Sequence, residues 1–325
     1  MGLDLSNTLV IGISATALFD LSEADSVFRE KYKKDKDSAI AEYRQYMMER
    51  ENDDLKDGTG MPLVKALLNL NKFKKEEKEA PLVEVVVMSR NSPETGIQVF
   101  NNIRSRKLPI SRHAFTGGES VTDYLEAFDV DLFLTTNQKD AQRVRDTNSC
   151  AVALVKEPPS DIEKIPEGQV RIAFDGDAVI FDESSELVYK TDGIEKFYDN
   201  ENTKQDEPMA EGPYASLLRK LSCLQERLPF SVEYSPVRIA IVTARNAPAE
   251  MRVIKTLRAW GIYVDEIFFL GGVDKSKILR AFKAHIFFDD QDVHLDETST
   301  YIPSGKVPYN SSSELNKINK KRNCV

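Results

Sequence analysis

The stretch RIAFDGDAVIFD, residues 171–182, sets two aspartates, Asp175 and Asp177, around one glycine at the end of an apolar run. Like charges repel and buried carboxylates are costly to desolvate, so carboxylates placed there call for a cation. Three more polar clusters follow the same logic: Thr243 and Ala244 after VRIAIV, Lys275 after the pair Gly271-Gly272, and Asp289-Asp290 after HIFF. Ligands of an open parallel sheet gather outside the carboxyl ends of its strands. Neighbouring strands lie ~4.8 Å apart, so these clusters can meet in one patch. A hard divalent ion with oxygen ligands neutralises such a patch, and Mg²⁺ suits a few carboxylates with waters and a substrate phosphate.

Those parts suit phosphoryl transfer. One aspartate attacks phosphorus and forms an aspartyl-phosphate. The other, at i+2 on the same face of an extended strand, protonates the leaving oxygen and then activates water. The Thr243 hydroxyl, backbone N–H groups around Ala244 and the Lys275 ammonium can hold the phosphate oxygens. Lys277, two positions on, competes for the lysine role. Gly176 lets the backbone come close to the ligand. Arg245 reads as a scaffold residue or a substrate ligand, and Gly271 and Gly272 as turn glycines or groups that approach substrate. Asn91 and Asn246 read as helix caps, and His285 as a packed residue leading a strand.

The elements that must position these groups are strand-like runs alternating with helix-period segments: TLVIGIS, LVEVVVMS, VDLFLTT, QVRIAFD, VRIAIVTA and HIFFDD. Near-continuous apolar strands between amphipathic helices predict an α/β protein with a parallel sheet covered on both faces. The chain also repeats itself. Residues 10–20, 60–70, 85–104 and 115–138 match 172–182, 211–221, 239–258 and 269–291 in the same order. Two duplicated halves are therefore expected: 1–155, then a Pro/Glu/Asp-rich linker over 156–168, then 169–300, with an irregular tail over 301–325. Asp175 and Asp177 fall opposite Ser14 and Thr16, Thr243 opposite Met88, Lys275 opposite Val121, and Asp289-Asp290 opposite Thr135-Thr136. The scaffold repeats while the charges do not, which predicts one metal-dependent site, in the second half.

The totals narrow the class. The 325 residues are 41% hydrophobic with net charge −9, which argues against a nucleic-acid polymer as partner. Cys150, Cys223 and Cys324 show no CxxC spacing, pointing to a reducing compartment without a disulfide framework or zinc site. The three histidines do not cluster. No apolar stretch reaches the ~18–20 residues of a membrane span, and no basic region precedes the first apolar run. Gly2 lacks a myristoylation context. A cytoplasmic protein without membrane contact is expected, with an oligomer left open.

The four motifs, DGDAV, IVTAR, GGVDKSK and IFFDDQ, resemble those of the haloacid dehalogenase-like (HAD) phosphatase superfamily. With ALFD, GMPLVKALLNLN, FTGGES, TLRAWGI and DEIFFLGG added, nearly all of residues 8–294 looks like the cytosolic 5′-nucleotidase type I family. The resemblance implies a Rossmann-like HAD fold with a small cap inserted at about 183–235. It implies Mg²⁺-dependent hydrolysis of nucleoside 5′-monophosphates, AMP favoured. It assigns Asp175 as nucleophile and Asp177 as general acid/base, whose backbone carbonyl also faces the metal. Thr243 and Lys275 would bind phosphate, Asp289 would ligate Mg²⁺, and Asp290 would support it directly or through water. The motifs themselves handle only phosphate, so a phosphatase for another small metabolite and a non-catalytic nucleotide-binding protein are the alternatives.

Overall fold

The computed structural model describes residues 4–24, 26, 30, 33, 35–76, 78–161, 165–229 and 234–322. Gly2 and Cys324 lie outside them. The first half contributes β1 (Leu9–Ile13), β4 (Val83–Ser89), β5 (Arg112–Phe115), β6 (Leu132–Thr135) and β7 (Ala151–Val155) to the main sheet. Between β1 and β4 lies a short ribbon of β2 (Phe19–Asp20) with β3 (Lys56–Asp57). The second half contributes β8 (Val170–Phe174), β9 (Val237–Thr243), β10 (Glu266–Phe269), β11 (Ile286–Asp289) and β12 (Ser304–Lys306). All ten form one sheet in the order β5-β4-β1-β6-β7-β12-β11-β8-β9-β10. The fold is the α/β class that the alternating runs predict.

The order reads the same from either edge, half for half. Each half is internally parallel, and the central pair β7–β12 is antiparallel. The carboxyl ends of the two sets of strands therefore open on opposite edges of the sheet. Apolar alternation explains the layers. Leu9, Ile11 and Ile13 of β1 and Val170, Ile172 and Phe174 of β8 face one core shared by both halves. Val10 and Ala173 face separate cores on the other side. Helices cross over in the shared layer: Met61–Asn69 packs against β8, and Ala215–Glu226 packs against β1.

Backbone hydrogen bonds give the true equivalences. Ser14 N donates to Leu134 O and Asp175 N to Phe288 O, both at 2.8 Å, so Ser14 is the counterpart of Asp175 as expected. Ser89 pairs with Phe115 as Thr243 pairs with Phe269. Ser89, not Met88, thus stands opposite Thr243; an extra residue beyond β9 puts Arg245 opposite Arg90 and shifts a string match by one. Between Asp175 and Phe181 the second half carries one residue more than between Ser14 and Phe19. A π-type turn over Gly176–Ile180 absorbs it, with Ala178 at φ 60°.

Residues after 300 are not the irregular tail expected from their polarity. They supply β12, wedged between β11 and β7, and the helix Glu314–Arg322. Gly305 explains how so polar a segment enters the sheet: a Cβ there would lie 2.8 Å from the Ala153 Cβ, so only glycine fits. The insertion after β8 also differs from expectation. Helices Ser184–Asp192 and Ile194–Thr203 stand over the strand ends, whereas Ala215–Glu226 buries Leu217, Leu218, Leu221 and Leu224 in the shared core.

Candidate active site

Asp175 leaves β8 beside the end of β11, its N–H tied to Phe288 O, so its carboxyl emerges next to that of Asp289. Lys275, at the start of the helix Ser276–Phe282, bridges the two: Nζ is 2.9 Å from Asp175 Oδ1 and 2.7 Å from Asp289 Oδ2. Lys277 is exposed and stands outside this bridge. His294, on the helix Asp292–Thr298, places Nδ1 3.0 Å from Asp289 Oδ2.

Burial governs the electrostatics. It pushes the Asp175 carboxyl up to about 6, against the pull of Lys275. Burial opposes ionisation of Asp289 as well, but Lys275 and His294 outweigh it and hold that carboxyl at about 2. Asp290 is 1% exposed beside Glu186, Asp289 and Asp175, and burial with these neighbours drives it well above the carboxylate range. Its Oδ2 accepts from the Tyr309 hydroxyl, and its Oδ1 is buried with no partner. Burial also raises Glu186 to about 7, with Lys190 at 2.6 Å opposing the shift.

Asp177 is held differently. Arg245 donates Nε to its Oδ2 at 2.7 Å and Nη2 to its Oδ1 at 2.6 Å. The same guanidinium reaches Glu201 Oε2 through Nη1 at 2.5 Å, and Glu201 also accepts from Arg252 at 2.9 Å and Ser185 at 2.8 Å. Arg245 is therefore a buried link from the site to the inserted helices, stacked 5.3 Å over the Phe197 ring. It also lines the cavity. Thr243 is 2% exposed at the end of β9, and a Cβ at Gly176 would lie 3.3 Å from its hydroxyl. Asn246 accepts from Tyr198 OH at 2.6 Å; the following helix is capped by Ala249, so Asn246 is not its cap. Nor does Asn91 cap its helix, which begins after Gly96. His285 is packed as expected, its Nδ1 accepting from Arg171 N at 3.0 Å, and burial lowers it to about 4.

A cavity of about 460 Å³ opens above these groups. Asp175, Asp177, Thr243, Ala244, Gly271 and Gly272 form its lower wall, and Glu186, Tyr189, Ile194, Phe197 and Tyr198 its upper one. The two glycines have φ of 57° and 84°, a turn that side chains resist. Four contributors escaped the sequence reading. Glu186, Glu201 and Tyr309 sit in polar stretches without a motif. His294 lies five residues after Asp289, a signal invisible while histidines are sought only beside one another.

The donors fit a hard divalent cation. Ligand atoms of Asp175, Asp289 and His294 lie within 4.8 Å of one another, and the unpartnered Asp290 Oδ1 is an orphan that a cation or its water would satisfy. Among the described residues no helix is long and apolar enough to cross a membrane.

Residues 1–314 match a model of the 5′-nucleotidase family. Cytosolic 5′-nucleotidase 1B of Homo sapiens is 32% identical over 295 residues, covering 89% of this chain and 47% of that protein. The chain thus spans about half the length of that relative. No solved structure matches it. With a match over most of its length and a carboxylate-lined cavity at the strand ends, the chain belongs to the 5′-nucleotidase family.

Proposed function

We propose that the chain is a Mg²⁺-dependent phosphohydrolase that converts nucleoside 5′-monophosphates, AMP first, to nucleoside and phosphate in the cytoplasm. The observation that carries this reading is the Asp175–Lys275–Asp289 bridge beneath an aromatic-walled cavity. Residues 169–300 hold the chemistry, the first half serves as scaffold, and 156–168 joins them. The rings of Tyr189, Phe197 and Tyr198 favour a flat nucleoside over a bare sugar.

An oxygen of Asp175 attacks phosphorus in line, and the bond from phosphorus to the nucleoside oxygen breaks. Asp177 delivers a proton to that oxygen. A water then attacks the aspartyl-phosphate, gives its proton to Asp177, and phosphate departs with Asp175 restored. Lys275 and the Thr243 hydroxyl, with the Ala244 N–H, hold the equatorial oxygens. The Arg245 fork occupies both carboxyl oxygens of Asp177, whereas proton delivery to the nucleoside oxygen needs one of them free, so substrate must loosen that pair. The residues to hold Mg²⁺ are Asp175, Asp289 and the Asp177 carbonyl, with Asp290 directly or through water. A bound cation supplies charge neutralisation for phosphate and carboxylates.

Phosphate release from a panel of monophosphates tests the reading. Expected are turnover of AMP above any hexose phosphate, loss of activity in EDTA, and recovery with Mg²⁺. Full activity in chelator sinks the metal-dependent mechanism, and a higher kcat/KM for a hexose phosphate than for every nucleotide sinks the substrate assignment.

A further inference from the structure

The C-terminal segment does more than complete the sheet. After β12, Val307 N donates to Asp289 O at 2.9 Å, so the chain leaves along the catalytic strand end. The first half then grips residues 308–311. Arg145 Nε donates to Pro308 O at 3.1 Å, and Gln142 Nε2 to Tyr309 O at 2.9 Å. Asp146 accepts from both the N–H and the hydroxyl of Ser311 at 2.7 Å each. All three side chains come from one helix, Gln138–Thr147. Held in this way, Tyr309 turns its hydroxyl onto Asp290 Oδ2, and Ser313 beyond it donates to Glu183 at the foot of the inserted helices.

We propose that Tyr309 is a positioning residue for Asp290, and that the first half acts on the catalytic centre through it. The inference rests on the reading above, in which Asp290 serves a divalent cation. The chemistry of the contact favours this role over simple packing. A buried carboxylate left free turns to whatever donor is nearest, and its companions here are the carboxyls of Glu186, Asp289 and Asp175. A phenol fixes one oxygen by a single hydrogen bond and brings no charge of its own. A lysine or arginine at that point would put a fixed positive charge beside the place where a cation would sit. The second oxygen, Oδ1, is thereby kept buried, oriented and without a partner, which suits a cation or its bound water. Groups that orient the ligands of a metal typically change its affinity by about 10–100-fold when removed.

The test measures Mn²⁺ binding to the full chain by electron paramagnetic resonance, with the melting of the metal-free protein as control. Tyr309→Phe should weaken Mn²⁺ binding by about tenfold or more with a cooperative melt retained, and its turnover should recover towards wild type at saturating metal. Gln142→Met, in the first half, should weaken binding less and add nothing in the Tyr309→Phe background. Equal Mn²⁺ affinity in wild type and Tyr309→Phe overturns the inference. Further weakening by Gln142→Met in that background overturns the route through Tyr309. If Tyr309→Phe melts without cooperativity, Gln142→Met alone decides, and unchanged affinity there overturns the inference. A wild-type chain that binds no Mn²⁺ overturns the metal centre itself, so the two failures are distinguishable.

Discussion

The sheet carries two clefts of one design at opposite edges, and they differ in the side chains at their strand ends. In the second half, Asp175, Asp177, Asp289 and Lys275 meet under two inserted helices. In the first half, a cleft of about 960 Å³ has Ser14, Thr16, Ser89, Thr135 and Thr136 at the corresponding strand ends. Its hydroxyls satisfy one another: Thr16 lies 2.5 Å from Thr136 and 3.1 Å from Ser14. The buried acid on that rim, Asp140, is neutralised by Arg90. The backbone registers are shared while the charge balance is not. A strand-end cleft is therefore a place for chemistry, and the side chains alone decide whether chemistry occurs there.

The sharpest way to break that contrast is to remove the groups that define each cleft. Asp175→Asn is nearly isosteric and should lower kcat for AMP by at least about 10³-fold if Asp175 is the nucleophile, as proposed. The double change Thr135→Ala and Thr136→Ala should leave kcat within about threefold, because the proposed mechanism uses no group of the first cleft. Steady-state phosphate release reads both. An Asp175→Asn enzyme within about tenfold of wild type would place the nucleophile elsewhere.

Thr243 and Ser89 offer a second, smaller contrast. Thr243→Val should cost about 10²-fold in kcat through loss of one phosphate-oxygen donor, with Thr243→Ser restoring most of it. Ser89→Ala should leave kcat unchanged. A large effect of Ser89→Ala would mean that the first cleft takes part in turnover.

The ion pairs of the two clefts differ in burial, and stability should report it. Glu201 is fully buried between Arg245 and Arg252, so Glu201→Gln should cost about 3 kcal/mol. Asp140→Asn at the half-exposed Arg90 should cost about 1 kcal/mol. Burial opposes ionisation of Glu201, but Arg245, Ser185 and Arg252 outweigh it and lower it from its ordinary 4.5. Its contribution is thus present above pH 4.5 and lost as pH falls through the lower folded value. Denaturant melts should show the wild-type advantage over Glu201→Gln shrinking below that pH and constant above it.

The smallest expected effect concerns the paired glycine turns. Gly117 and Gly271 have φ of 62° and 57°, so alanine at either should cost about 1 kcal/mol in melting experiments. Gly117 has open space around it, whereas a Cβ at Gly271 would lie 3.2 Å from Asn246 in the cavity wall. Only Gly271→Ala should also raise KM for AMP. Equal kinetics for the two variants would remove Gly271 from the substrate wall.

Much of this was legible in the chain before folding. The strands β1, β4, β6, β8, β9 and β11, the repetition of the two halves, and the gathering of Asp175, Asp177, Thr243, Lys275, Asp289 and Asp290 at strand ends follow from apolar runs that end in polar residues. Such runs must be buried along their length and must release their charges at the edge. What the sequence by itself determined is therefore those six strands and the residue types at their ends. Tertiary structure alone decided the rest, because those contacts join residues that no local period connects. The antiparallel β7–β12 seam puts the two clefts on opposite edges. A polar three-residue strand enters the sheet because Gly305 leaves room for Ala153. Glu201 meets Arg245, and Tyr309 meets Asp290, only once helices and tail have been packed over the site. Periodicity records which face of an element is buried, whereas a partner across the fold leaves no trace in either residue's neighbourhood.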